Sequence, residues 1–380
     1  GERMKIGIIT SVFLPLIDDA YKYYGGMEIR TLSLIEYLSA KGHEVHVFAT
    51  NDSSLNMKNV MLHTGHYPIW DGKRSSYEME KDIIQSNLDI LKSCDAVLED
   101  NHFHYYNYLA SKEGFKRNIA MSWDFYPNNL NALPPKPRNV VCVSKYLRNA
   151  IRDKFASEGH KIYYAYSGLN LDYYKPFNYH PSFDGPILFL SRFSNVKGGH
   201  IFLQLAKDLP HEDFLMMGDI LLVNEPSYVW KLKQKADEMR NVQVIFNASW
   251  DEKIKALQTC KLLVHPCITP EPLGLNCLEA QFFGKYVIGY GMGGLLETVK
   301  DNKTGGLVFP SNDAVANYIQ LREKLKAFLS REPSPEACMR NVVMNFNFKQ
   351  LSAPVYEAIL EGADEETIHK LERKQNSKTI

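Results

Sequence analysis

The chain has 380 residues, 45% apolar and 23% charged, with 44 Lys and Arg against 44 Asp and Glu. Balanced charge argues against a nucleic-acid binder, which carries a basic excess, and no run of about 18 apolar residues offers a membrane-spanning helix. The length suits two cores of roughly 150–200 residues each, and six cysteines without C-x-x-C spacing predict reduced, buried thiols in a cytoplasmic protein.

The first predicted strand is KIGIIT, Lys5–Thr10, an apolar run too short for a helix. A loop rich in Pro, Asp and Tyr follows, and Gly25-Gly26 opens a helix over Met27–Lys41, with Ile29, Leu32, Ile35 and Leu38 at helical spacing. Gly42 stops it, and a second strand, Glu44–Ala49, starts at once. A strand–loop–helix–strand unit of this kind opens a doubly wound sheet. Next come a helix over Ser76–Lys92, strands at Ala96–Leu98, Asn118–Ser122 and Val140–Val143, a helix capped by Ser144, and strand Ile162–Tyr166. The stretch Asn170–Gly185, broken by Pro and Gly, reads as a linker.

The alternation then restarts. Strands are predicted at Ile187–Ser191, Phe214–Gly218, Val242–Phe246, Leu262–His265 and Tyr286–Gly289. Helices are predicted over His200–Asp208, Glu252–Thr259 and Leu275–Phe283. A last helical run, Lys349–Glu361, precedes a polar tail. The domains are therefore read as 4–168, a linker 169–185, 186–345, and a C-terminal helix and tail 346–380.

Ligands of open parallel sheets bind beyond the C-terminal strand ends, so residues just after strands carry the functional weight. Arg192 follows strand ILFLS, and Lys197 lies before a helix that Gly198-Gly199 open, an arrangement of two cations and free N–H groups suited to a diphosphate. The Pro-rich loop after His265 carries Glu271. Gly274 permits close backbone approach, Leu275 begins a helix whose N–H groups face an anion, and Glu279 lies one turn inside it. Two carboxylates flanking an anion site call for hydroxyl-rich ligands such as sugar and ribose. Asp100, His102 and His104 follow the Ala96–Leu98 strand and are expected at the cleft of the first domain.

The run from Pro266 to Ala280 resembles the E-x7-E motif of glycosyltransferase family 4, with Glu271 and Glu279 as its two glutamates. The likeness extends to Gly284–Ile288, to Gly293-Gly294 with Glu297, to Gly305–Val308, and upstream to Arg192 with Lys197-Gly198. More loosely it covers Gly25–Val47, Val143-Ser144 and Gly168 with Asp172. The resemblance implies the α/β GT-B fold: two Rossmann-like doubly wound domains facing across a cleft, with the C-terminal helix crossing back to the first. It implies a retaining transferase that moves a sugar from a nucleotide-diphosphate donor, a UDP- or GDP-sugar, to a glycan, lipid-linked or small-molecule hydroxyl. No metal or other cofactor is expected.

By the same resemblance Arg192 and Lys197 hold the diphosphate, Glu279 the ribose and Glu271 the transferred sugar. Gly274 and Leu275 assist by backbone, and Gly25 and Gly26 close over the diphosphate. Base contacts are expected near Asn247–Ser249. The departure is Trp123-Asp124, where the family carries a His-Asp pair, so His102 and Asp124 are the candidates for the catalytic role in that half. The alternatives are a nucleotide-sugar epimerase of the same fold and a non-catalytic nucleotide-sugar binder. Lys112, Lys116 and Arg117, with Lys145, Arg148, Arg152 and Lys154, form a candidate patch for peripheral membrane contact.

Overall fold

A computed structural model describes residues 2–23, 26–100, 118–123, 138–175, 177, 180–220 and 224–380. The chain divides into two units. Unit 1 comprises Gly1–Asn170 with Asn347–Gln375, and unit 2 comprises Leu171–Phe346 with Asn376–Ile380.

Unit 1 holds strands β1 (Lys5–Ile9), β2 (Glu44–Ala49), β3 (Val60–Thr64), β4 (Ala96–Glu99), β5 (Asn118–Trp123), β6 (Asn139–Cys142) and β7 (Lys161–Tyr164). All pair in parallel, in the order β3-β2-β1-β4-β5-β6-β7. Parallel strands covered on both faces read as continuous apolar runs, and β1, β2 and β4 are buried almost throughout. Strand β3 was not expected. Its VMLHT sequence, half-buried at the sheet edge, has an apolar run of only Val60–Leu62 before two polar residues. The expected helix over Ser76–Lys92 is two pieces, Ser76–Ser86 and Leu88–Ser93, broken at Asn87. Ser144 caps helix Lys145–Ser157 by accepting from Leu147 N, a contact worth about 1 kcal/mol. On that helix Lys145, Arg152 and Lys154 are exposed, whereas Arg148 lies over the Tyr164 ring.

The C-terminal segment corrects one reading. The charged stretch after Glu361 is not a tail: Glu365–Lys374 is a helix capped by Asp364, with Ile368 and Glu372 buried. Glu372 accepts from Tyr164 N at 2.9 Å, and Gln375 accepts from Tyr166 N at 2.9 Å, so both complete the backbone just past β7. Helix Ala353–Leu360 also belongs to unit 1, where Glu357 receives hydrogen bonds from Tyr37 and His43. The last residues return to unit 2. Lys378 N donates to Asn345 Oδ1 at 2.8 Å, and Asn345 Nδ2 donates back to Lys378 O at 2.9 Å.

Unit 2 holds β8 (Ile187–Leu190), β9 (Phe214–Gly218), β10 (Val242–Phe246), β11 (Leu263–His265), β12 (Val287–Tyr290) and β13 (Gly305–Val308), again all parallel, in the order β10-β9-β8-β11-β12-β13. Its core gathers Ile187, Phe189, Phe193, Phe202, Phe214 and Leu321. Helices Pro226–Asp237, Ala314–Leu329 and Pro335–Asn345 join those expected from sequence. In each unit the strand order reverses beside the first strand: between β1 and β4, and between β8 and β11. Chains leaving two such strands run to opposite faces of the sheet and leave a crevice between them. All six cysteines are buried and free.

Candidate functional site

The site grows from the switch point of unit 2. After β8 the buried Phe193 ring anchors the turn into the core, leaving its neighbour Arg192 half-buried, with no hydrogen bond or ion pair among the described residues. A short turn, Asn195–Lys197, then leads through Gly198 into helix Gly199–Asp208. Ile268 N donates to Val196 O at 2.9 Å and stitches this turn to the loop after β11.

That second loop brings Glu271 to Lys197. Lys197 Nζ lies 2.6 Å from Glu271 Oε2, and His265 Nε2, at the end of β11, lies 3.3 Å from the same oxygen. The His265 ring is oriented from behind. Asn276 Nδ2 donates to Leu190 O at 2.7 Å and to Ser191 Oγ at 3.2 Å, and lies 3.0 Å from His265 Nδ1, so Nε2 is the nitrogen turned to Glu271. Glycines hold the loop at close range. Gly293 has φ +59, and a Cβ there would fall 2.5 Å from Glu271 O, while Gly294 N donates to that oxygen at 2.6 Å. Gly274, at φ +92, ends the loop and begins helix Leu275–Phe282, whose first N–H groups have no partner within the helix.

Electrostatics follow from this packing. Burial alone would raise the Glu271 carboxyl, yet Lys197 and His265 hold it well below the usual carboxylate range. Burial would lower His265, but its hydrogen bonds to Cys267 and Glu271 push it up to about 8. Cys267 sits below the ordinary thiol value: burial opposes this, and the hydrogen bond with His265 prevails. The site is therefore a pre-formed cluster of fixed charges at a strand-order switch.

Glu279 is separate, one helical turn on and 2% exposed. Its Oε2 accepts from Tyr174 OH at 2.6 Å and pairs with Lys253 Nζ at 2.7 Å. The Tyr174 ring is wedged among Trp250, Phe282 and Phe283. Nearby, Asn247 adopts φ +50 and accepts from Ile220 N, and Ser249 caps helix Trp250–Thr259 through a capping box with Glu252.

Of the residues expected from sequence, Lys197 and Glu271 are in contact. Gly274 and Leu275 carry the chain from Glu271 into the helix, and Arg192 stands on the neighbouring loop. Gly26 opens helix Gly26–Ala40 in unit 1. Gly25, His102, His104 and Asp124 lie outside the described residues. Asp100 is corrected: it is fully buried, bound to Arg30 Nη2 at 2.5 Å and to Thr31 Oγ1 at 2.5 Å, and is an internal ion pair rather than a cleft residue. Sequence reasoning missed His265, Cys267, Asn276, Tyr174 and Lys253 as parts of the site. A histidine closing the buried run Leu262–Val264 was a readable signal, whereas Tyr174 lies 105 residues from Glu279 and carried none.

Comparison with known proteins finds two matches in series. Residues 24–173 match the family described as Glycosyltransferase Family 4, and residues 179–342 match Glycosyl transferases group 1. An uncharacterized glycosyltransferase of Methanocaldococcus jannaschii is 26% identical over 343 residues, covering 86% of this chain and 90% of that protein. Among solved structures, the catalytic domain of starch synthase IV from Arabidopsis thaliana, bound to ADP and acarbose, superposes with a TM-score of 0.72 at 14% identity, covering 95% of this chain and 99% of that one. HepE of Anabaena, in complex with UDP and glucose, gives 0.58 at 17% identity, covering 90% and 98%.

Proposed function

This chain belongs to glycosyltransferase family 4 and is a nucleotide-sugar-dependent glycosyltransferase of the GT-B fold; on that premise we propose that it transfers the sugar with retention at the anomeric carbon, without a metal, to a hydroxyl acceptor. The observation that carries the reading is the Lys197–Glu271–His265 cluster at the β8/β11 switch, with Arg192 beside it. Arg192 and Lys197 take the donor diphosphate and the charge that grows on it as the glycosidic bond breaks. Such fixed charges need no reorganisation at the moment of reaction. The helix start at Leu275 adds N–H groups and dipole, so the negative charge is met without a divalent ion. Glu271 is ionised and reaches the sugar hydroxyls. Glu279, oriented by Tyr174 and Lys253, accepts from the ribose hydroxyls. The departing phosphate receives the acceptor's proton on the face it leaves, which returns the original anomeric configuration. UDP- and ADP-bound neighbours of the same fold support a nucleoside diphosphate in unit 2.

A thermal-shift screen of UDP-, GDP- and ADP-sugars, with and without magnesium, tests this. Stabilisation by one donor, equal in both conditions and lost in Arg192→Ala and Glu279→Ala, is expected. No response to any nucleotide sugar would remove the reading. Once the donor is found, NMR of the product's anomeric proton reports retention or inversion.

A further inference from the structure

The donor loop carries a second chemistry. His265, Cys267 and Glu271 each offer one ligand atom, and these atoms lie within 4.8 Å of one another. Imidazole, thiolate and carboxylate are the ligand types of zinc-class cations, which bind them at about 2.0–2.3 Å in tetrahedral sites that need only modest closure from this spacing. His265 ends β11 and the other two lie on the loop that follows it, so no large rearrangement separates them. His265 Nε2 is turned inward to Glu271, with Asn276 Nδ2 against Nδ1; a cation on Nε2 places the ring proton on Nδ1, which Asn276 meets by turning its amide oxygen toward the ring. Cys267 Sγ lies 3.2 Å from Thr269 O, so the thiol is held at the loop rather than swung into the core. Four other cysteines differ: burial raises the thiols of Cys142, Cys260, Cys277 and Cys338.

What opposes a cation here is Lys197, whose ammonium already holds Glu271 at 2.6 Å. Two cations cannot share one carboxylate without mutual repulsion, so a metal bound to Glu271 must displace Lys197. We propose that His265, Cys267 and Glu271 form a site for a zinc-class divalent cation, and that filling it takes Glu271 from Lys197 and blocks the nucleotide-sugar site. The blocking rests on the function proposed above; the binding does not. The cation is an inhibitor, distinct from any magnesium requirement of the transfer.

The test titrates the full-length chain, free of donor, with Zn2+ and with Co2+, whose thiolate charge-transfer absorption reports sulfur ligation. One equivalent is expected to bind, with the thiolate band present in wild type and absent in Cys267→Ser and His265→Gln, both checked for folding by circular dichroism. Lys197→Met is expected to tighten Zn2+ binding by about tenfold or more, because it removes the competing charge, while weakening nucleotide-sugar binding. Nucleotide-sugar affinity is expected to fall as Zn2+ fills the site and to recover with a chelator. Absence of the thiolate band in wild type, Zn2+ binding that persists in Cys267→Ser, or no gain in Lys197→Met overturns the cation site, whatever the donor measurements show. Zn2+ held through Cys267 with donor affinity unchanged overturns the blocking. A chain that ignores every nucleotide sugar yet shows the Cys267-dependent band upholds the cation site and refutes only the donor-site roles proposed for Arg192, Lys197 and Glu279.

Discussion

The two units share a topology and use the same place in it differently. At the β8/β11 switch of unit 2, Lys197 and Glu271 are charged and paired, yet the Glu271 side chain keeps 14% of its surface open to solvent. At the β1/β4 switch of unit 1, the charges are closed in. Arg30 and Asp100 have side chains 3% and 0% exposed, and Thr31 takes the second carboxylate oxygen. Next to them burial pushes the Glu99 carboxyl up to about 8, although Glu80 and Arg138 pull it down. A crevice at a strand reversal is a geometric consequence of the fold; whether it binds or merely braces depends on whether its charges satisfy one another completely.

The comparison breaks most sharply at Asp100. Asp100→Ala strands the Arg30 guanidinium and is expected to cost about 3–5 kcal/mol of stability, read from the urea midpoint, with nucleotide-sugar affinity of the folded protein unchanged. A loss of affinity at unchanged stability would show that unit 1 also binds through this pair. Glu271→Gln is the mirror experiment. It takes the partner from Lys197 and His265 and is expected to cost about 1–3 kcal/mol at the midpoint, less than Asp100→Ala, and to lower the transfer rate by about a hundredfold to a thousandfold, the range found when one transition-state contact is removed. A collapse of stability instead would make the Lys197–Glu271 pair structural like its counterpart.

His265 sharpens the contrast through pH. Its folded pKa, about 8, lies above the ordinary 6.5, because its hydrogen bonds to Cys267 and Glu271 outweigh burial. The protonated ring therefore adds stability that is fully present below about 6.5 and is lost as pH rises through 8, roughly 2 kcal/mol in all. Metal-free protein melted across that window should show the loss, and His265→Gln should flatten it. Tyr174→Phe is the smallest change. It removes one donor from the buried Glu279 and is expected to weaken nucleotide-sugar binding by about tenfold, measured by calorimetry, with no change in base preference.

Much of this was legible beforehand, for a physical reason. Apolar strands and glycine-ended helices are local patterns, and the spacing from Glu271 to Glu279 is a local motif, so the alternating α/β order and the Pro-rich loop running into helix Leu275–Phe282 could be read off. What escaped depends on contacts far apart in sequence. Tyr174 sits in a stretch that reads as linker, and Lys253 reads as a surface residue of an ordinary helix; both matter only because folding lays them on Glu279. Helix Glu365–Lys374 escaped because its sequence is dominated by charge, and only Ile368 and Glu372 reveal a buried side. Asp100 misled in the opposite direction: a carboxylate after a strand looks like a ligand group until Arg30 is found against it.

The return of residues Asn347–Gln375 to unit 1 sets an order of events during synthesis. The ribosome emits most of the unit 1 sheet first, but the carboxylate that completes Tyr164 and the amide that completes Tyr166 belong to Glu372 and Gln375, which follow the unit 2 sheet in the sequence. Unit 1 thus begins first and finishes last, after the whole of β8–β13 has emerged. A nascent chain cut anywhere before Glu372 leaves β7 with open backbone groups, so truncated products should be selectively cleared. A gene split at Asn170, the natural place to separate the halves, should yield an N-terminal fragment that needs the last segment supplied in trans.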